Sequence, residues 1–137
     1  MADTSGQLDM LLMEPETLLR RTVAMTARSL GVAHVHEAAS MALAQRLLRA
    51  RVFHGVVIAI DPHLDDAGGP LALVDELRRG ETRSAKSVPI AVMLTQCDAA
   101  MLMALRERGV GRIILKPFRA RALLDTFADF AGARKSA

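Results

Sequence analysis

Short apolar runs alternate with longer amphipathic stretches along the chain, and this alternation limits the possible folds more than any other feature. The clearest run, residues 56–60, contains no polar side chain, which is typical of a parallel strand covered on both faces. Further strands are predicted at residues 8–13, 32–38, 89–95 and 112–115, and each is followed by apolar residues at helical spacing. Five strand–helix units predict an α/β domain, with a parallel sheet and helices on both faces.

The helices are delimited by the same pattern and by glycine. Residues 18–27 carry a helical stripe that Gly31 is placed to end, and residues 99–108 carry another that Gly109 closes. The remaining helices are predicted at about 40–50, 71–77 and 120–130. We expect a disordered N-terminus at 1–7, one domain over 8–131 and a frayed tail at 132–137.

The composition narrows the class of protein. Hydrophobic residues make up 51% of the 137 residues, so a sizeable core is expected. The single cysteine excludes an internal disulfide framework and favours a reducing compartment. No apolar stretch reaches the roughly 20 residues that span a bilayer, and the first residues lack the features of a signal peptide. A cytoplasmic protein without a membrane contact is expected.

The positive charge raises the question of nucleic acid. Net charge is +3 and the pI is about 9.7. The arginines are spread along the chain, mostly on predicted helix faces that also carry acids, as at Arg78-Arg79 beside Asp75-Glu76. No helix-turn-helix, aromatic stacking set or zinc-finger spacing accompanies them. Solvated helix surfaces are therefore the favoured interpretation, and no nucleic-acid partner is expected.

Polar residues with related chemistry stand at the predicted carboxyl ends of four strands. These residues are Glu14-Pro15-Glu16, Asp61, Thr95 and Lys116-Pro117. In an open α/β sheet the carboxyl ends form the functional edge. Carboxylates suit Mg²⁺, and a carboxylate can attack phosphorus while a lysine neutralises the phosphoryl oxygens. No Gly-rich phosphate loop is present, so a nucleotide site of that kind is not expected.

The ordered set of these segments resembles a known family. Leu11 to Arg20, Phe53 to Ile60, Pro89 to Thr95 and Leu115-Lys116-Pro117-Phe118 are similar to the receiver domain of bacterial two-component response regulators. The resemblance covers the chain from about Leu8 to Phe130. It implies a flavodoxin-like, doubly wound, five-stranded parallel sheet with strand order 2-1-3-4-5.

The resemblance also implies roles for individual residues. Glu14 matches the first of two paired acids that hold Mg²⁺, whereas Pro15 stands where the second is normal. Glu16 is a possible further ligand, although an acid favoured by the helix dipole is the better interpretation. Thr95 matches the hydroxyl that binds the phosphoryl group, and it could also cap the next helix. Lys116 matches the lysine that pairs with the phosphoryl oxygens, before a proline whose preceding bond is often cis.

The phosphoacceptor position is ambiguous. Counting from Phe53 without a gap puts Ala59 there, and counting from Gly55 gives Ile60 instead. Asp61 reaches the position only if the strand shifts, and it lies on the same side of the strand as Ala59. Asp61 is therefore a candidate acceptor and metal ligand, or merely a loop acid. Ile113 replaces the family's aromatic switch residue.

The sequence gives no reason to assign a metal-binding or other functional role to the histidines. Asp61, His63, Asp65 and Asp66 could suggest a transition-metal site, but a solvated polar loop is favoured. The other three are His34, His36 and His54, and we assign them no function.

The sequence thus predicts a single-domain response regulator that acts through protein–protein contacts and is not an enzyme. Its expected partners are a histidine kinase or a histidine phosphotransferase, and a downstream protein bound through about residues 99–130. Mg²⁺ is expected if the site works, and otherwise no cofactor. The alternative is a pseudo-receiver, an adaptor that does not depend on phosphorylation. A small flavodoxin-like enzyme is disfavoured because aromatic residues and a phosphate loop are missing.

Overall fold

Every predicted apolar run forms a strand, and a helix follows each one. The computed structural model describes residues 8–61, 69–117 and 119–136. The elements in chain order are β1 (Asp9–Met13), α1 (Thr17–Ser29), β2 (His34–Ala38), α2 (Met41–Ala50), β3 (Gly55–Ala59), α3 (Ala72–Arg78), β4 (Ile90–Leu94), α4 (Ala99–Glu107), β5 (Arg112–Leu115) and α5 (Ala120–Ser136).

The five strands form one parallel sheet in the order β2-β1-β3-β4-β5. This is the predicted order, and the flavodoxin-like fold class is confirmed. The order reverses direction between β1 and β3, so their carboxyl ends flank the crevice where open α/β sheets bind ligands. Met13 at the end of β1 is in register with Ile58, so Glu14 follows directly beside the end of β3.

Side chains of the sheet alternate between two apolar layers. Val56 and Ile58 face the layer that holds α2, α3 and α4, and Val57 faces the layer that holds α1 and α5. Leu48 and Leu105 fill the first layer, while Phe127 fills the second. Both faces are covered, which is why β3 and β4 are almost entirely apolar.

Most helix ends follow the sequence signals. Gly31 and Gly109 have φ values of 68° and 67°, a left-handed conformation that glycine adopts without a steric cost, so both predicted stops are confirmed. The start of α4 differs from one of the two interpretations of Thr95. Asp98 is the N-cap, and its carboxylate accepts a hydrogen bond from the backbone N–H of Met101. Thr95 therefore does not cap α4.

Three further expectations change in detail. The strand predicted at 56–60 begins at Gly55 and ends at Ala59. Helix α5 continues to Ser136, past the predicted end at Phe130, because alanine, arginine and lysine favour helix. The third correction concerns Arg78, which is not a solvated helix residue, since its guanidinium is hydrogen-bonded to main-chain carbonyls. None of the helices within the described ranges is long and apolar enough to cross a membrane.

Candidate functional site

An ion pair between strands β1 and β5 is the centre of the carboxyl edge of the sheet. Glu14 follows β1 and is 2% exposed, and Lys116 follows β5. The Lys116 Nζ atom lies 2.5 Å from Glu14 Oε1. Within the described residues Oε1 accepts no hydrogen bond of good geometry, so the ion pair is what offsets its charge. A buried carboxylate needs such a partner, because transfer of an unpaired charge from water is costly.

Main-chain contacts fix the other parts of Glu14. Its Oε2 accepts a hydrogen bond of 2.9 Å from the backbone N–H of Glu16, the N-cap residue of α1. Its carbonyl oxygen accepts one of 2.8 Å from Arg20 Nη1, and Arg20 Nε pairs with Glu37 at 3.1 Å. Its own N–H donates to the carbonyl of Ala38. Glu14 is thereby tied to α1 and to β2 as well as to Lys116.

The end of β3 carries an apolar residue beside this ion pair. Ala59 is in register with Met93 and is half-buried at the layer of α1 and α5. Ile60 donates its N–H to the carbonyl of Met93 and packs into the opposite layer. Asp61 follows as an exposed residue. All three candidate acceptor positions line the cavity described next, and of the three only Ile60 also belongs to the buried core.

An open cavity of about 690 Å³ lies above these strand ends. Thr95 is exposed at its rim, after β4. Residues from the start of α2 and from the loop before α3 also line the cavity. Its lining includes Glu14, Pro15, Glu16, Ser40, Met41, Ala59, Asp61, Pro70, Thr95 and Lys116. All four strand-end groups predicted from the sequence are thus brought to one place. The acids Asp65 and Asp66 and residue His63 lie outside the described residues.

The structure is similar to several solved receiver domains. A response regulator receiver domain protein from Methanospirillum hungatei JF-1 superposes with a TM-score of 0.79 at 14% identity, covering 95% of this chain and 98% of that one. The receiver domain of the Francisella response regulator 1452 gives 0.77 at 14% identity, covering 93% and 99%. The non-phosphorylated HemR receiver domain from Leptospira biflexa gives 0.76 at 23% identity, covering 91% and 94%.

The chain has the receiver fold. No protein-family model matches the sequence, and no curated protein matches it. The shared architecture agrees with the resemblance carried by the strand-end residues. One local feature agrees too, because the peptide bond between Lys116 and Pro117 is cis, as predicted.

The strand-end acids of this receiver fold do not fit a magnesium ion as they are arranged. Both oxygens of Glu14 are already engaged, one by Lys116 and one by the N–H of Glu16. Pro15 offers no carboxylate. Glu14, Glu16 and Asp61 line one cavity but, among the described residues, they do not form a group of three acids converging on one point. Mg²⁺ needs several oxygen ligands at about 2.1 Å.

A different cluster was missed by the sequence analysis. His36 Nε2 lies 2.9 Å from Asp9 Oδ1, and His34 Nδ1 lies 3.8 Å from the same oxygen. The spacing of His34 and His36, two residues apart on a strand, is the signal that could have found it. Partial burial lowers the pKa of His36, with help from the charges of Arg51 and His34, although the hydrogen bond to Asp9 acts in the other direction. Burial raises the pKa of Asp9, but the hydrogen bond and charge of His36 outweigh it and the net pKa is lowered.

Proposed function

We propose that this chain is a signalling protein of the response-regulator type that acts through protein–protein contacts without phosphoryl transfer at the usual acceptor position. The observation that supports it is the Glu14–Lys116 ion pair beside Ala59. In this interpretation the pseudo-receiver alternative is preferred to a working phosphoacceptor site.

The chemistry of the strand ends supports this preference. A phosphorylated receiver needs a carboxylate nucleophile within reach of the lysine that neutralises the phosphoryl oxygens. Ala59 has a methyl group there, which cannot attack phosphorus. Lys116 is meanwhile engaged with a carboxylate that is 2% exposed. The lysine that would bind a phosphoryl group instead offsets the charge of the buried Glu14 carboxylate.

A partner surface is proposed over residues 99–130, which include α4, β5 and most of α5. Met103 on α4 is 63% exposed and Leu115 on β5 is 53% exposed, so each offers an apolar side chain to solvent. Ile113, at the position of the family's aromatic switch, is half-buried and packs against the apolar layer that holds α2, α3 and α4. We propose a histidine kinase or histidine phosphotransferase, or a downstream protein of that pathway, as the class of partner.

A second candidate keeps phosphoryl transfer and assigns it to Asp61. One observation favours it: Asp61 lines the same cavity as Thr95 and Lys116. In this candidate an oxygen of the Asp61 carboxylate attacks phosphorus as the bond from phosphorus to the donor oxygen breaks. With acetyl phosphate as donor, acetate leaves with the electron pair, and Asp61 becomes an acyl phosphate.

The mass of the intact protein after incubation with acetyl phosphate distinguishes the two candidates. We expect no gain of a phosphoryl group in the wild type, with or without Mg²⁺, because Ala59, the last residue of β3, has no nucleophilic group. We expect a Mg²⁺-dependent gain in the double variant Ala59→Asp, Pro15→Asp, which restores an acceptor and a second acid. A conventional receiver domain in the same solution serves as the positive control, and circular dichroism checks that each variant is folded.

Each result of the mass measurement favours a different candidate or contradicts both. A gain in the wild type that disappears in Asp61→Asn would establish the second candidate. A gain that survives Asp61→Asn would contradict both assignments and point to another residue. No gain in the wild type, together with a gain in the double variant, would support the pseudo-receiver and show that only the missing carboxylates prevent the chemistry.

A further inference from the structure

The Asp9, His34 and His36 cluster lies at the amino edge of the sheet, opposite the edge that holds Glu14 and Lys116. Asp9 begins β1 and is in register with His34, the first residue of β2. His36 lies two residues farther along β2, so its side chain is on the same side of the sheet as that of His34. Three side chains with metal-binding atoms are therefore brought together by the pairing of two neighbouring strands.

The distances in this cluster match those between the ligands of one metal ion. One ligand atom from each of the three residues lies within 4.8 Å of the others. The two contacts to Asp9 Oδ1 are 2.9 Å for His36 and 3.8 Å for His34. In a tetrahedral zinc site, bonds of about 2.0–2.2 Å place ligand atoms roughly 3.4 Å apart. The two contacts to Asp9 Oδ1 lie within about 0.5 Å of that spacing.

We propose that Asp9, His34 and His36 form a binding site for a divalent transition-metal ion of the zinc class. Imidazole nitrogens favour zinc, nickel and copper, whereas Mg²⁺ and Ca²⁺ prefer oxygen alone. The His36 side chain is 14% exposed and is held in place, while that of His34 is 42% exposed and leaves the site open to solvent. Three protein ligands leave a further coordination position for water or for a group from another molecule.

The surroundings of the cluster both support and oppose binding. The backbone N–H of Asp9 donates to His54 Nδ1 at 3.1 Å, which fixes the start of β1. Arg51, an exposed residue at the end of α2, places Nη1 3.4 Å from His36 Nδ1. A metal ion can bind Nε2 of His36 only when that nitrogen carries no proton, so the ring proton must then be on Nδ1. The guanidinium of Arg51, which lies next to Nδ1, would have to move away from this N–H group. Arg51 therefore weakens metal binding by its charge.

The consequence for the fold is a cross-link between β1 and β2. An ion held by Asp9 on one strand and by two histidines on the other stabilises the native state increasingly as the free ion concentration rises above the dissociation constant, because the unfolded chain does not bring these residues together. This inference does not rest on the proposed signalling role, since the two sites lie at opposite edges of the sheet.

The test is a zinc titration of the 137-residue chain, freed of any affinity tag, by isothermal titration calorimetry at pH 7.5. We expect one Zn²⁺ per chain, and more than about tenfold weaker binding in His36→Gln and in His34→Gln. Arg51→Gln should bind about fivefold more tightly, because a nearby cation is removed. His63→Gln is the matched control, because the sequence offers the segment around His63 as the other candidate transition-metal site. This variant should bind zinc like the wild type, since His63 is not one of the three proposed ligands.

A second measurement needs no variant. In the wild type, the ring signals of His34 and His36 in proton–nitrogen spectra should shift as Zn²⁺ is added, and those of His63 should not. Binding that survives in both His34→Gln and His36→Gln, or that is lost in His63→Gln, would overturn the proposal. An absence of saturable binding with one ion per chain would overturn it as well.

Discussion

Replacing Lys116 with methionine is expected to lower the free energy of unfolding by about 3–5 kcal/mol at neutral pH, the range for removing one member of a buried ion pair. The reason is Glu14, whose carboxylate is buried with Oε1 facing the lysine ammonium. Methionine has a similar length, so the loss of packing is small and the main change is an uncompensated charge. Urea unfolding followed by circular dichroism measures the effect.

A double-mutant cycle separates this charge effect from packing. Glu14→Gln alone should cost less than Lys116→Met, because the amide oxygen can still accept from the N–H of Glu16 and Lys116 is partly exposed. The double variant should be more stable than Lys116→Met, since it no longer buries a lone carboxylate. Lys86→Met, at an exposed lysine, is the control and should change stability little. A loss below about 1 kcal/mol in Lys116→Met would contradict the compensating role.

The second large effect is expected at Arg78, the last residue of α3. Its Nε donates to the carbonyl of Arg108 at 2.6 Å and its Nη2 to that of Gly109 at 3.0 Å. Its Nη1 donates to the carbonyls of Lys86 at 2.5 Å and Val88 at 2.8 Å. One side chain therefore joins α3 to the turn before β5 and to the segment before β4. Burial lowers the pKa of Arg78, but a guanidinium stays charged at neutral pH.

Arg78→Ala is expected to reduce the free energy of unfolding by roughly 3 kcal/mol, because several charge-assisted hydrogen bonds are lost together. Arg78→Lys should recover only part of the lost free energy of unfolding, since an ammonium group lacks the planar fork that reaches both segments. Arg79→Ala is the matched control: Arg79 is exposed and its pair with Glu81 is solvated, so no measurable change is expected. Hydrogen exchange at residues 108–112 should accelerate in Arg78→Ala alone. Equal stability of the two alanine variants would refute this role.

The pairing of β1 with the histidine-bearing strand β2 shows how much the sequence left open. A strand was predicted at residues 32–38, and the strand extends from His34 to Ala38. The predicted strand order already placed β1 beside β2, but nothing in the sequence set their register, which puts Asp9 opposite His34. Asp9, His34 and His36 share no metal-binding motif in the sequence, and they form a cluster only because of the register between β1 and β2.

The same limit applies to the arginines. Arg78 and Arg79 look alike in the sequence, as neighbouring cations in a polar segment. The helical rotation of about 100° per residue turns Arg78 toward the loops before β4 and β5, while Arg79 remains in solvent. Composition predicts solvated helix faces for both, and only the packing of α3 against those loops separates them.

The sequence by itself determined the element order, the parallel sheet and the gathering of Glu14, Asp61, Thr95 and Lys116 at one edge, because hydrophobic periodicity and chain connectivity are local properties. The tertiary structure decided what those groups do to one another. It placed Lys116 against a buried Glu14 and Ala59 at the end of β3. Strand register and side-chain burial depend on contacts between distant residues, and a one-residue shift moves a side chain to the other face of the sheet.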